Sequence, residues 1–176
     1  CNNCTIQFED GTILYERKYN GIKKGEIKNP NFPLVYGVGY VGQGIFSFKN
    51  NKKAHSTWVN ILKRCYYEKF HIVRPTYKDV TVCKEWHNFQ NFAEWFEENY
   101  KIEYMSGWHI DKDLLVEDNK IYSPKTCCFV PNEINCLFIN NKKAGVRKVN
   151  NKYVAIISIE GNQKHLGTFE TYEDAE

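Results

Sequence analysis

The run His109-Ile110-Asp111-Lys112-Asp113 concentrates groups that can handle a proton or an anion. An imidazole with a near-neutral pKa can accept a proton, so His109 is a candidate base. It stands two residues before Asp111, which puts both side chains on the same side of a strand. Lys112 would act as a base only with a strongly depressed pKa, and that takes desolvation or nearby positive charge. The carboxylates of Asp111 and Asp113 on either side favour its charged form instead. A charged lysine pairs with an anion such as a phosphate oxygen, which is binding rather than proton abstraction.

Other constellations are weaker. Gly37, Gly39 and Gly42 spell G-x-G-x-x-G, but Pro30 and Pro33 precede them and the strand-like "IFSF" follows. A dinucleotide loop needs a strand before it and a helix after it, so turns and bulges are expected here. Cys1-x-x-Cys4 is one pair of thiols where a structural zinc site wants two. Cys127 and Cys128 would face opposite sides of a strand, with one of them in the core, and no zinc is expected. Cys83 and His87, on either side of Trp86, read as a core thiol and an exposed ring. No Ser-His-Asp or Cys-His nucleophile pattern stands out.

The elements that must carry these residues follow from periodicity. The chain has 176 residues, is 15% aromatic, and has twelve Tyr and eleven Phe against one Met, which predicts small cores built around rings. Residues 4–48 read as β, with Asp10-Gly11 as a hairpin turn between alternating runs. From His55 the period becomes helical, with Trp58, Ile61, Leu62 and Cys65 on one face and Ser56 or Thr57 as the cap. A short strand over 80–83 and a helix over 88–100 come next. A strand around 109–115, a polar loop through Asn119, a strand at "CCFV" and a helix after Pro131 complete the middle of the chain. The last block returns to β. Its three short strands are separated by Asn150-Asn151 and Glu160-Gly161-Asn162, and "TYEDAE" reads as the first turn of a helix. The class predicted is modular α+β, with a small N-terminal β module over 1–48, a helical and ββα domain over 49–140, and a three-stranded sheet with a truncated helix over 141–176.

Charge and cysteines bound the partners. Net charge is +3, yet residues 49–79 hold eight Lys/Arg against two acids and residues 141–168 hold six against one. Residues 84–117 between them hold three basic and eight acidic residues. Basic blocks flanking an acidic one suit a polyanion touched outside the acidic part, and three ordinary solvated faces would look the same. Seven cysteines without a secretory pattern point to reduced thiols in a cytoplasm. No apolar run approaches the ~20 residues that cross a bilayer, so no membrane partner is expected.

Within residues 55–138, "W-x-x-x-L-K-R-C-Y", "P-T-Y-K-D-V-T-V-C-K-E-W-x-N-F-Q-N-F" and "D-K-D-x-L-x-x-x-N-K-I-Y-S-P-K-T-C-C-F-V-P-x-E-I-N" resemble the HNH endonuclease-like proteins of bacteriophages. Residues 144–175, through "GVRKVNNKYVAIISI" and "KHLGTFETYEDA", resemble the ethylene-response-factor (APETALA-type) DNA-binding domain that such phage proteins often carry at the C-terminus. The first resemblance implies a ββα-metal core that hydrolyses a DNA phosphodiester with one Mg²⁺ or similar divalent ion. On that pattern Asp111 is the acidic metal ligand and Asn135 the helix ligand. Lys112 stands where the catalytic histidine belongs, Thr126 stands where an asparagine braces the loop, and His109 is a replacement base. The second resemblance implies that a sheet lies in the major groove of double-stranded DNA. Arg147, Lys148, Tyr153, Lys164 and His165 would be its contacts. The expected setting is the cytoplasm of a bacterial host. Two functions stay open: a DNA-binding protein with metal-dependent cleavage impaired at Lys112, and a non-enzymatic binder that blocks DNA or inhibits a host protein such as a defence nuclease.

Overall fold

Asp10 and Gly11 turn the chain as their types require. Gly11 takes φ +84°, a left-handed conformation open to glycine. The Asp10 carboxylate accepts from the Thr12 amide at 2.9 Å and, on its other oxygen, from the Asn29 side chain. These bonds hold its pKa below the ordinary carboxylate value, the Thr12 amide contributing most. The flanking strands β1 (Asn3–Gln7) and β2 (Ile13–Lys18) pair antiparallel with Ile6 opposite Leu14. The computed structural model describes residues 3–135, 145–159 and 162–175. Cys1, the turn at Glu160-Gly161 and the predicted helix beyond residue 135 lie outside the described residues.

The β reading stops at Lys18. A short helix α1 (Tyr19–Lys23) follows, and residues 24–51 run without a strand, with single bridges at Val35–Gly39 and Tyr40–Asn88. Pro30 and Pro33 remove donors that a ladder needs. Two of the three glycines of the G-x-G-x-x-G run, Gly39 and Gly42, serve packing. A Cβ on Gly39 would stand 2.4 Å from Leu62, and one on Gly42 would stand 2.2 Å from the Asn88 side chain. Tyr40 donates to the His87 carbonyl and accepts from the Phe89 amide, both at 2.9 Å. Gln90 then clamps the segment, donating to the Val41 and Phe46 carbonyls while accepting from the Phe46 amide.

Gly42 also has φ +72°. Gly42→Ala therefore meets both a left-handed backbone and the Asn88 oxygen that caps the helix starting at Phe89 by accepting from the Gln90 amide. The expected loss is about 2 kcal/mol of unfolding free energy, read as a lower urea midpoint at unchanged slope.

Helix α2 (Lys52–Tyr66) starts three residues before the predicted onset at His55, with Asn51 at its N-cap position in place of Ser56 or Thr57. Its buried stripe is Ala54, Trp58, Ile61, Leu62 and Cys65. The helix breaks at Tyr67, and α3 (Glu68–Val73) takes a new direction held by a 2.9 Å contact between His71 Nε2 and the Arg64 carbonyl. Helix α4 (Phe89–Asn99) buries Phe89, Phe92, Ala93, Trp95 and Phe96. Trp58 donates its indole N–H to the Trp86 carbonyl at 2.6 Å, and Trp95 stacks on Phe129. This is the ring-built core that the composition predicts.

His55 sits half-buried against Phe48, Trp58 and Phe89. Desolvation there lowers its pKa from the ordinary 6.5. The folded protein thus binds this proton less readily than the unfolded chain does. Its stability contribution is complete above about pH 6.5 and is lost as pH falls from there through the lower folded value. The urea midpoint is expected to drop between pH 7.5 and 5.5, and to drop less in His55→Phe; an identical drop in both would remove His55 as the cause.

The remaining strands form small sheets. β3 (Thr81–Val82) pairs parallel with β5 (Ile121–Tyr122), and β4 (His109–Asp111) pairs with β6 (Cys128–Val130), after which residues 132–135 are helical, α5. β7 (Val146–Val149), β8 (Lys152–Ile159) and β9 (Asn162–Phe169) form an antiparallel sheet, followed by α6 (Tyr172–Ala175). The fold is thus mixed α+β with small sheets. It divides into two compact units, Cys1–Ser106 with Ile110–Phe129, and Gly107–His109 with Val130–Glu176. Among the described residues no helix is long and apolar enough to cross a membrane.

Candidate functional site

β4 ends where the candidate chemistry begins. It is three residues long, so Lys112 to Leu115 lie in a loop and not in the longer strand predicted. The Asp111 Oδ1 turns the chain out of the strand by accepting from the amides of Asp113 (2.8 Å) and Leu114 (2.7 Å). Lys112 points inward, 8% exposed. Its Nζ donates to the Asn119 carbonyl at 2.6 Å and to the Asp113 carboxylate. Asn119 answers from the far side of the loop: its Nδ2 donates to the carbonyls of Lys112 (2.8 Å) and Ile121 (2.7 Å), and its Oδ1 accepts from the Ile121 amide. Burial and bonding therefore make Lys112 a brace and not an exposed base or phosphate ligand.

Thr126 and Asn119 both donate to the Ile121 carbonyl at the end of the loop. Thr126 donates its hydroxyl to the Ile121 carbonyl and meets the Ser123 hydroxyl, and so secures only the end of the loop. The asparagine that spans the loop is Asn119. Asp118 before it takes φ +54°, and the Asp118-Asn119 pair is of turn-forming type, the one signal for it in the sequence.

The other candidates fall as follows. His109 is exposed, with buried Ile110 between it and half-buried Asp111. Asn135 lies in α5, its amide bonded to the Pro131 carbonyl at 3.0 Å. It belongs to the second unit and Asp111 to the first. The Asp111 Oδ1 serves loop amides and the Asp113 Oδ1 pairs with the ammonium, so each carboxylate keeps its second oxygen outside these bonds. Among the described residues no group of three His, Cys, Asp or Glu side chains is placed to hold a metal. Burial pushes the Cys65 and Cys127 thiols up to about 12, so both stay protonated and unreactive at neutral pH. His87, predicted exposed, is half-buried and lies 3.3 Å from the Tyr66 hydroxyl.

The second unit carries the other candidate surface. Asn150 and Asn151, at φ +47° and +66°, make the tight hairpin turn that two left-handed residues allow. Paired residues share a face of a sheet, and the register splits the five predicted DNA contacts. Lys148 pairs with Tyr153, Tyr153 with Phe169, and Ile157 with Lys164. That face receives α6: Tyr172 packs edge-on to Tyr153, Ala155 and Ala175 are buried, and Lys148 lies over the Tyr153 ring. Arg147 pairs with Val154, Val154 with Thr168, and Ile156 with His165, all on the opposite face. Val149 and Lys152 pair there as well. The apolar side chains of the sheet are divided too, with Phe169 toward α6 and Val154 and Ile156 away from it.

On the face away from α6, Lys152 pairs with the Glu170 carboxylate, while His165 Nε2 lies 3.3 Å from the Thr168 hydroxyl. Arg147 is exposed and has no carboxylate partner among the described residues. The surface is apolar along β8, with the exposed Arg147 on β7 and the Lys152–Glu170 pair toward the turn.

The chain matches no protein-family model, and neither a curated protein nor a solved structure is significantly similar to it.

Proposed function

We propose that the protein binds double-stranded DNA through the face of β7–β9 away from α6. Residues 109–135 are, in this reading, the ββα core of a phage HNH endonuclease-like protein in which position 112 has become structural. The observation that carries it is the placement of Arg147, exposed and without a carboxylate partner among the described residues, on the side of a sheet whose other side is taken by α6. An arginine without a carboxylate partner can contact a phosphate or the O6/N7 edge of guanine. The chain order of β4, loop, β6 and α5, with β4 paired to β6, supports the second half. The burial of Lys112 supports a core that does not cleave.

Fluorescence anisotropy with a labelled duplex tests the first half. Affinity is expected to fall steeply between ~50 and ~200 mM salt, as phosphate contacts require; no binding at the lower salt would remove the DNA reading. Supercoiled plasmid with Mg²⁺ or Mn²⁺ tests the second half. The plasmid is expected to stay supercoiled. Nicking that disappears in Asp111→Ala would restore metal-dependent cleavage.

A further inference from the structure

The loop that Lys112 braces presents Leu114, Leu115 and Val116 side by side, all exposed, Leu115 to 56%. Adjacent aliphatics held in water are a surface that gains when covered. Asp111 fixes the start of this loop and Lys112 and Asn119 tie its ends together. The Asn119 amide also bonds back to the Val116 carbonyl at 3.3 Å. Little ordering entropy is left to lose when something covers it.

The surrounding charge says what that something is. Glu117 and Asp118 are exposed beside the three aliphatics, together with Asp113, whose carboxylate pairs with Lys112. Such a rim repels phosphates, so nucleic acid is not the occupant. The complement is a surface with an apolar centre and cations at its edge. The second unit of this same chain carries that pattern on the face away from α6, with Val154 and Ile156 on the central strand, Val149 toward the turn and the exposed Arg147 beside them.

We propose that the Asp113–Asp118 loop of one copy docks on the β7–β9 face of a second copy and competes with DNA for that face. Leu115 covers Val154 and Ile156 in this contact, and the acidic rim takes the place of phosphates against Arg147. The competition rests on the DNA reading above, whereas the self-association does not depend on it. One loop on three strands is smaller than the ~1,200 Å² of ordinary stable interfaces, so the association is weak.

Sedimentation velocity on the full chain from ~1 to ~200 µM, the range where small interfaces assemble, is the direct test. The expected result is a monomer that self-associates with concentration, less so at high salt, and that a short duplex returns to monomer–DNA complex. Leu115→Ser changes an exposed position and is expected to weaken association about tenfold or more. Glu117→Gln gives a smaller loss that vanishes at high salt. A monomer at every concentration overturns the proposal, as does a Leu115→Ser variant that associates like the wild type. Tighter DNA binding by Leu115→Ser with no self-association in either form also overturns it, because the loop would then be docking within one chain. Self-association without any DNA binding keeps the contact but sinks the DNA reading.

Discussion

Lys112→Ala is expected to lower the unfolding free energy by about 2 kcal/mol and to leave supercoiled plasmid as uncut as the wild-type protein leaves it. The side chain is buried, and its ammonium joins the start of the loop to the carbonyl of Asn119. Alanine strands that carbonyl and leaves a small void. The cost stays below the ~3–5 kcal/mol of a broken buried ion pair, because the partner carboxylate of Asp113 is 54% exposed and regains water. Lys112→Met restores the apolar stem without the charge and is expected to recover part of the loss. Lys112→His, which installs the residue expected of an active core, is too short to reach the Asn119 carbonyl. It should be destabilised like alanine and gain no nicking. Urea denaturation and the plasmid assay on the same preparations decide the matter: unchanged stability with altered cutting would make Lys112 a working group of an active site.

Arg147→Ala is expected to weaken duplex binding by about 1–3 kcal/mol, roughly 5- to 150-fold. It is exposed, unpaired by any carboxylate among the described residues, and on the face opposite α6. Lys148 is adjacent in sequence but on the other side, lying over the Tyr153 ring. Lys148→Ala and Lys164→Ala are therefore expected to cost less than Arg147→Ala. Tyr153→Ala is expected to act on stability through its contact with Tyr172 and not on the salt dependence of binding. Equal losses for Arg147→Ala and Lys148→Ala, measured by anisotropy at one salt concentration, would show that DNA does not use this face.

Much of the fold was legible because local chemistry and tertiary structure agree. Asp10-Gly11 and Asn150-Asn151 turn hairpins since their residue types tolerate left-handed backbone, and the stripes on α2 and α4 bury as their period demands. The misreadings have a common physical cause, the demands of distant partners. Residues 24–48 have the composition of strands, yet Gly39 and Gly42 are spent on close approach to Leu62 and Asn88, which no local pattern reveals. The two sides of the C-terminal sheet were merged because alternation alone does not tell which side a helix will cover. A register shift between Ala155 and Ile156 adds to this by skipping Leu166 on β9. At the candidate site, the identity of position 112 was enough to question catalysis. That its side chain turns inward depends on Asn119 seven residues later, a pairing set by loop geometry.

The bonds of Tyr40 bear on how the protein opens. Its amide and carbonyl are held by His87 and Phe89, on either side of the Asn88 cap, so water reaches those amides only when the start of α4 lets go. In hydrogen exchange the amides of Tyr40, Phe46 and Phe89 should then fade together, as one cooperative block. A boundary drawn near residue 48 would cut through that block, leaving Trp58 and Leu62 without the glycine backbone that shields them. The first segment is part of how the helical core keeps dry.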